Sequence, residues 1–182
     1  MRKRNLFYLI SLGFLFYSCE NNSLKKETPA YFNLKSYFEK QVEELNGNNF
    51  KLKKFVSKDA ATEEKLFDHP DWKEELKPFS ECDINKPSWK NSFHIDSTGD
   101  RETFCIKYLA KDSSLKIKSI TYCLEHDSLT FIKIEKRTEN MYYHFITTLS
   151  YFPMKAYSIK SSQKINFTKE TTIEVKGLFI RQ

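Results

Sequence analysis

From Arg101 onward, apolar and polar residues alternate in this 182-residue chain, and short polar turns break the alternation at intervals. A period of two sends successive side chains to opposite faces, so each segment reads as a strand with one dry and one wet face. Strands of that kind belong to antiparallel sheets whose neighbours are joined by short turns. The segments lie at about Leu129 to Arg137, Met141 to Tyr151, Lys155 to Ile165 and Thr171 to Ile180. One hairpin can be put in register from the residues alone. Pairing Phe104 with Leu124, Ile106 with Tyr122 and Tyr108 with Ile120 puts all of these on one face. That register closes a loop of about three residues around Ser114.

The same register sets Cys105 opposite Cys123, on the face turned away from the core. It admits a cross-strand disulfide in an oxidising compartment. Such a bond is expected to be strained, because directly opposed strand positions lie too far apart for relaxed disulfide geometry. The other reading is two separate small, partly buried thiols. Cys82 is left over in either case, and the absence of Cys-x-x-Cys speaks against a thioredoxin-like role.

Before the meander, two stretches have helical spacing. Thr28 can cap a helix and Pro29 suits its first position, with Leu34, Tyr37, Phe38, Val42 and Leu45 on one stripe. Asn46-Gly47-Asn48-Asn49 ends it, with Gly47 suited to a left-handed C-terminal position. Phe50 to Phe67 reads as a strand pair turning at Lys58-Asp59-Ala60-Ala61. A second helix begins in Asp68-His69-Pro70-Asp71-Trp72, with Asp68 as its cap and Trp72, Leu76 and Phe79 as its packing face. Pro78 belongs at or near its end. A strand near Phe93 to Ile95 and a turn at Ser97-Thr98-Gly99-Asp100 lead into the meander. The expected class is α+β: two helices packed on a twisted, mainly antiparallel meander sheet, as a single domain over residues 29–182.

The first residues are of another kind. Arg2, Lys3 and Arg4 precede an almost wholly apolar run, Leu6 to Tyr17, followed by Ser18 and Cys19. The run is shorter than the roughly 20 residues a spanning helix needs, and it stops at the polar Glu20-Asn21-Asn22. It resembles a bacterial lipoprotein signal: residues 1–18 are removed, and Cys19 carries the acyl chains, palmitate among them. Phe16 and Tyr17 depart from the strict motif, in the manner of the relaxed signals of the Bacteroidota. A plain secretory signal would show a small-x-small site, and Phe16 stands where one small residue is required. Each buried CH₂ contributes about 0.8 kcal/mol, so several acyl chains make a lasting anchor. Residues 19–28 then form a lipidated tether, and no second apolar run follows. Three of the positive charges behind the net +6 sit in Arg2, Lys3 and Arg4 and leave with the signal. The remaining lysines are interspersed with acids, which argues against nucleic-acid binding.

Tyr31-Phe32-Asn33-Leu34-Lys35, Asp71-Trp72-Lys73-Glu74-Glu75-Leu76, Asp83-Ile84-Asn85-Lys86-Pro87-Ser88-Trp89 and Thr148-Leu149-Ser150-Tyr151-Phe152-Pro153 resemble segments of small uncharacterised Bacteroidota lipoproteins. The resemblance covers nearly all of the chain after the signal. It implies a lipid-anchored protein of the cell envelope, placed in the outer membrane, and it brings no activity with it.

Residues with chemistry to offer are scattered. His69, His94, His126 and His144 form no ligand spacing; Glu125-His126-Asp127 is the densest polar group and falls where a hairpin must turn. No nucleophile elbow, phosphate loop, dinucleotide fingerprint or zinc motif occurs. The pairs Glu63-Glu64 and Glu74-Glu75 read as surface charge. No catalytic, metal or cofactor residue is therefore assigned. Asp96-Ser97-Thr98 and Asp127-Ser128-Leu129 look like O-glycosylation acceptors in turns. Tyr142, Tyr143, Tyr151, Phe152 and Tyr157 could furnish a binding surface, though core packing suits most of them better.

The reading that follows is an envelope lipoprotein working as a non-catalytic binding or accessory module for a protein or glycan partner. A second reading is a carrier of an apolar ligand in a curled-sheet cavity, with the Tyr31–Leu45 helix as lid. A third, a hydrolase, needs two or three of Glu125, His126, Asp127 and His144 to converge.

Overall fold

The computed structural model describes residues 29–59, 61–165 and 169–181. The signal, Cys19, the tether and Thr28 lie outside them. Among the described residues there are two α-helices, α1 (Leu34–Gly47) and α2 (Trp72–Ser80), and nine strands. The strands are β1 (Lys51–Lys58), β2 (Ala61–Phe67), β3 (Phe93–Gly99), β4 (Thr103–Ala110), β5 (Ile117–Glu125), β6 (Ser128–Glu139), β7 (Tyr143–Phe152), β8 (Ala156–Ile165) and β9 (Thr171–Ile180). They form one antiparallel sheet in the order β2-β1-β9-β8-β7-β6-β5-β4-β3. The class is α+β, with the sheet as its larger part. From β3 to β9 the chain meanders between neighbours, while the β1–β2 hairpin is laid against β9 and so joins the beginning of the domain to its end.

The β4–β5 register has Phe104 opposite Leu124, Ile106 opposite Tyr122 and Tyr108 opposite Ile120, as the alternation predicts. The loop it closes is longer than expected. The strands part after Ala110, and Asp112 accepts from the Ser114 N–H to shape a turn within residues 111–116. The predicted turn at Ser97–Asp100 lies further on. Ser97, Thr98 and Gly99 continue β3 in pairing with Ile106, Cys105 and Phe104, and Asp100 makes the turn by accepting from the N–H groups of Glu102 and Thr103. Asp96-Ser97-Thr98 is therefore an exposed edge strand and not a turn.

Both helices start later than predicted. Pro29 precedes α1, and Asn33 is its cap, accepting from the Ser36 N–H at 2.8 Å. The reason is tertiary. The Tyr31 N–H donates to Asn85 Oδ1, the Leu34 N–H to Asp83 Oδ1, and the Phe32 N–H to the Tyr108 hydroxyl. These partners far along the chain hold residues 31–33 out of the helix. In α2 the cap is Asp71, accepting from the Glu74 N–H at 3.1 Å, and not Asp68, which pairs with Lys51. At the end of α1 the left-handed residue is Asn49, with φ 51°, and not Gly47.

The core lies between the helices and one face of the sheet. Phe38 and Phe79 meet with ring centroids 5.2 Å apart, and both close on Tyr151; Trp72 meets Phe179 at 4.9 Å. Tyr157 lies across Gly177, where a Cβ would sit 2.3 Å from the Tyr157 ring and 2.8 Å from Leu52. Here glycine answers to close approach and not to a turn. Polar groups in this layer are paired: Tyr151 donates to Gln41 Oε1 at 2.8 Å, and Tyr157 donates to Glu75 Oε2 at 2.5 Å. Burial pushes the hydroxyl pKa values of Tyr151 and Tyr157 upward, so they act as donors. Tyr151 and Tyr157 thus leave the predicted binding surface for the core.

Candidate functional site

Where α1 and α2 lie side by side, their outer faces make a groove of about 490 Å³. Helical spacing builds it. Phe38 and Val42, one turn apart on α1, face Leu76 of α2 across the floor. The walls are charged: Lys35, Glu39 and Glu43 on α1, and Lys73, Glu74 and Lys77 on α2. Phe38 and Leu76 are buried in the core beneath, so Val42 is the apolar side chain of the floor that remains within reach. Lys77 pairs with Glu74 at 3.2 Å, one helical turn away, an exposed contact that contributes little to stability.

A second hollow, of about 440 Å³, lies where the chain joins the domain, lined by Tyr31, Lys35, Asn85, Lys86, Pro87 and Lys90 among others. Its polar groups are already engaged. Asn85 binds the backbone of Tyr31 and Phe32, and the Tyr31 hydroxyl donates to the Trp89 and Lys90 carbonyls. The neighbouring Trp89 ring, the natural platform for a sugar, has Lys86 Nζ over it at 4.3 Å. A third hollow, of about 310 Å³, lies near His144, Ile146, Lys164 and Glu170.

Under α2 the sequence reading missed a network. Glu75, which by its sequence neighbours reads as surface charge, is mostly buried, 2.9 Å from Lys54 Nζ and hydrogen-bonded by Tyr157. Its position three residues after Trp72, on the flank of the packing face, was the available signal. Glu64 does stay at the surface, paired with Lys53.

The residues that a hydrolase would need do not converge. His126 and Asp127 are the β5–β6 turn, with φ 48° and 60°, the left-handed pair that two-residue hairpins require. His144 pairs with Glu139 at the far end of β6, about 35 Å of strand away. Among the described residues no group of His, Cys, Asp and Glu is placed to hold a metal ion, and every buried side-chain polar atom has a partner. The space where a carried ligand would sit, between α1 and the sheet, is filled by the rings of Phe38, Phe79 and Tyr151.

Cys105 and Cys123 form a disulfide on the sheet face away from the helices. The expected obstacle of distance does not arise. The Cα atoms are 4.0 Å apart, nearer than the roughly 4.4–6.8 Å usual for disulfides, because the two residues form the close type of cross-strand pair. Phe131 flanks the bond and packs on Phe152, with ring centroids 5.0 Å apart. Cys82 is buried and donates to the Pro78 carbonyl; burial pushes its thiol pKa up to about 11. No helix among the described residues is long and apolar enough to cross a membrane. No family model matches the chain, and neither the curated proteins nor the solved structures yield a match.

Proposed function

We propose that this chain is a lipoprotein of the cell envelope, cut before Cys19 and held on the outer membrane by acyl chains on that cysteine. Its domain works as a non-catalytic module that docks an envelope protein. The observation that carries the docking role is the α1–α2 groove, with the apolar Val42 and its floor between charged walls. That composition suits an amphipathic segment of a protein better than a sugar, and Lys86 already covers Trp89, the ring a sugar would stack on. Export is supported by the disulfide, a bond that persists in oxidising compartments and is rare in the cytosol. The kinship with Bacteroidota lipoproteins belongs to the same proposal.

Two measurements test it. Metabolic labelling with a palmitate analogue is expected to mark the chain and to be lost in Cys19→Ser. A photo-crosslinker placed at Val42 in living cells is expected to capture a discrete partner, and one at Thr148, on the opposite side of the sheet, is not. Equal capture at both positions, or none at Val42, removes the docking role.

A further inference from the structure

The second layer stops part-way along the sheet. α1 and α2 cover the end that holds Leu52, Tyr151 and Phe179. Towards the other end of the same face, Phe145, Tyr143 and its cross-strand neighbour Ile165 are exposed. The reverse face of that strand end carries exposed Ile146, and the β6–β7 turn presents Met141 at 75% and Tyr142 at 64% exposure. Exposed apolar side chains gathered at one hairpin end, rather than scattered singly, mark a contact surface. Its form is informative. Apolar side chains leave the strand ends on both faces and at the tip, so a partner laid on one face leaves the rest wet. A fluid apolar phase surrounding the end covers all of them. Tyrosine, with an apolar ring and a polar hydroxyl, is the residue type that gathers at lipid–water boundaries.

We infer that this end of the sheet, led by Met141, Tyr142 and Tyr143, rests in the boundary layer of a lipid bilayer. The inference takes the proposed anchor at Cys19 as what brings the domain to that bilayer. The chain outside the domain is long enough for both to engage one membrane. The chain joins the fold at Tyr31, whose ring packs on Tyr108 at 5.2 Å. Tyr108 shares a cross-sheet row with Ile120, Ile134 and Leu149. From Leu149 to Tyr143 is about 20 Å of strand, and the three strand steps make the whole distance about 25 Å. The stretch from Cys19 to Tyr31 reaches about 40 Å when extended. Around the cluster, Lys58 and Lys164 are exposed and long enough to reach lipid phosphates. The acids beside them make contacts within the fold: Asp59 accepts from the Thr172 N–H, Glu139 pairs with Arg137 and His144, and Glu170 accepts from the Ser162 hydroxyl.

The test uses the full lipidated chain in phosphatidylcholine vesicles with plain or brominated acyl chains. Tyr142→Trp places a reporter at the tip, and Arg101→Trp places one in the β3–β4 turn at the opposite end. The parent chain, with Trp72 and Trp89, supplies the background. Bromine is expected to lower the added emission at 142 about two-fold, as for a side chain held roughly 5–10 Å into the headgroup–acyl boundary. Emission at 101 is expected not to change. Unquenched emission at 142, on protein that floats with the vesicles and carries acyl mass on Cys19, overturns the inference and leaves the anchor standing. Quenching at 142 by a chain whose Cys19 is unmodified supports the tip and removes the anchor; no quenching and no acyl mass removes both. Shielding of the reporter indole at position 142 by concentration-dependent self-association would give the cluster to a second copy and also overturn the inference.

Discussion

The two ends of the helix-side face are built from similar residues and meet different fates. At one end Tyr151, Tyr157 and Phe179 stand under α1 and α2, and their rings interlock with one another and with Phe79 of α2. At the other, Phe145, Tyr143 and Ile165 come from the same strands with the same alternation and remain open to solvent. Strand pattern sets which face a side chain takes. Whether that face becomes core depends on where the helices lie, and they lie across one end only. An aromatic on the dry face is thus a core residue at one end and an exposed one at the other.

The sharpest way to break this comparison is to truncate one ring at each end. Phe79→Ala, at a fully buried site, is expected to cost about 3–5 kcal/mol in denaturant unfolding. Phe145→Ala, 37% exposed, is expected to cost well under half of that. Equal losses would mean that the second layer does not end where described. Next in size is the disulfide, which ties β4 to β5 outside the helix-covered layer. Replacing Cys105 and Cys123 by serine releases a separation of 18 residues and is expected to lower stability by about 3 kcal/mol, read by the same unfolding curves. Under the helices, Tyr157→Phe removes the hydrogen bond to Glu75 and is expected to cost about 1–2 kcal/mol. No corresponding loss is expected from Tyr142→Phe at the exposed end.

The smallest effect is a pH dependence in the β3–β4 turn, at the end of the sheet opposite Met141 and Tyr142. Backbone N–H groups of Thr103 and Glu102 hold the Asp100 carboxyl below its usual pKa. A lowered folded pKa means that the contribution is complete above the ordinary aspartate range and is lost as pH falls through the folded value. Amide protection in the β3–β4 turn, corrected for the intrinsic exchange rate at each pH, is therefore expected to fall on acidification and to lose that dependence in Asp100→Asn. A flat profile in the parent would remove the turn from the account.

What could be read directly followed from periodicity. The β4–β5 register emerged because period-two alternation allows few alignments that keep Phe104, Ile106, Tyr108, Ile120, Tyr122 and Leu124 on one face, and the cysteines then faced each other without further assumption. The starts of the helices were less legible. Thr28-Pro29 is a good local signal, but Asn85, Asp83 and Tyr108 claim the backbone of residues 31–34 from far along the chain. Of the candidate surfaces, the aromatic set divided: Tyr151 and Tyr157 are core, while Tyr142, Tyr143 and Phe152 are exposed. The groove had no advance signal beyond the helix stripes, because it exists only once α1 and α2 lie side by side.

The sequence by itself determined the strands, their faces, the turn at His126-Asp127 and the placing of Cys105 opposite Cys123, since each depends on neighbours in the chain or one hairpin away; that the two sulfurs are bonded came from the structure. Tertiary structure alone decided that β1 joins β9, that Glu75 is drawn beneath α2 to Lys54 and Tyr157, and that one end of the dry face stays bare. Those outcomes depend on which segments meet across long separations. Many alignments satisfy the same local pattern, and packing of the whole layer selects among them.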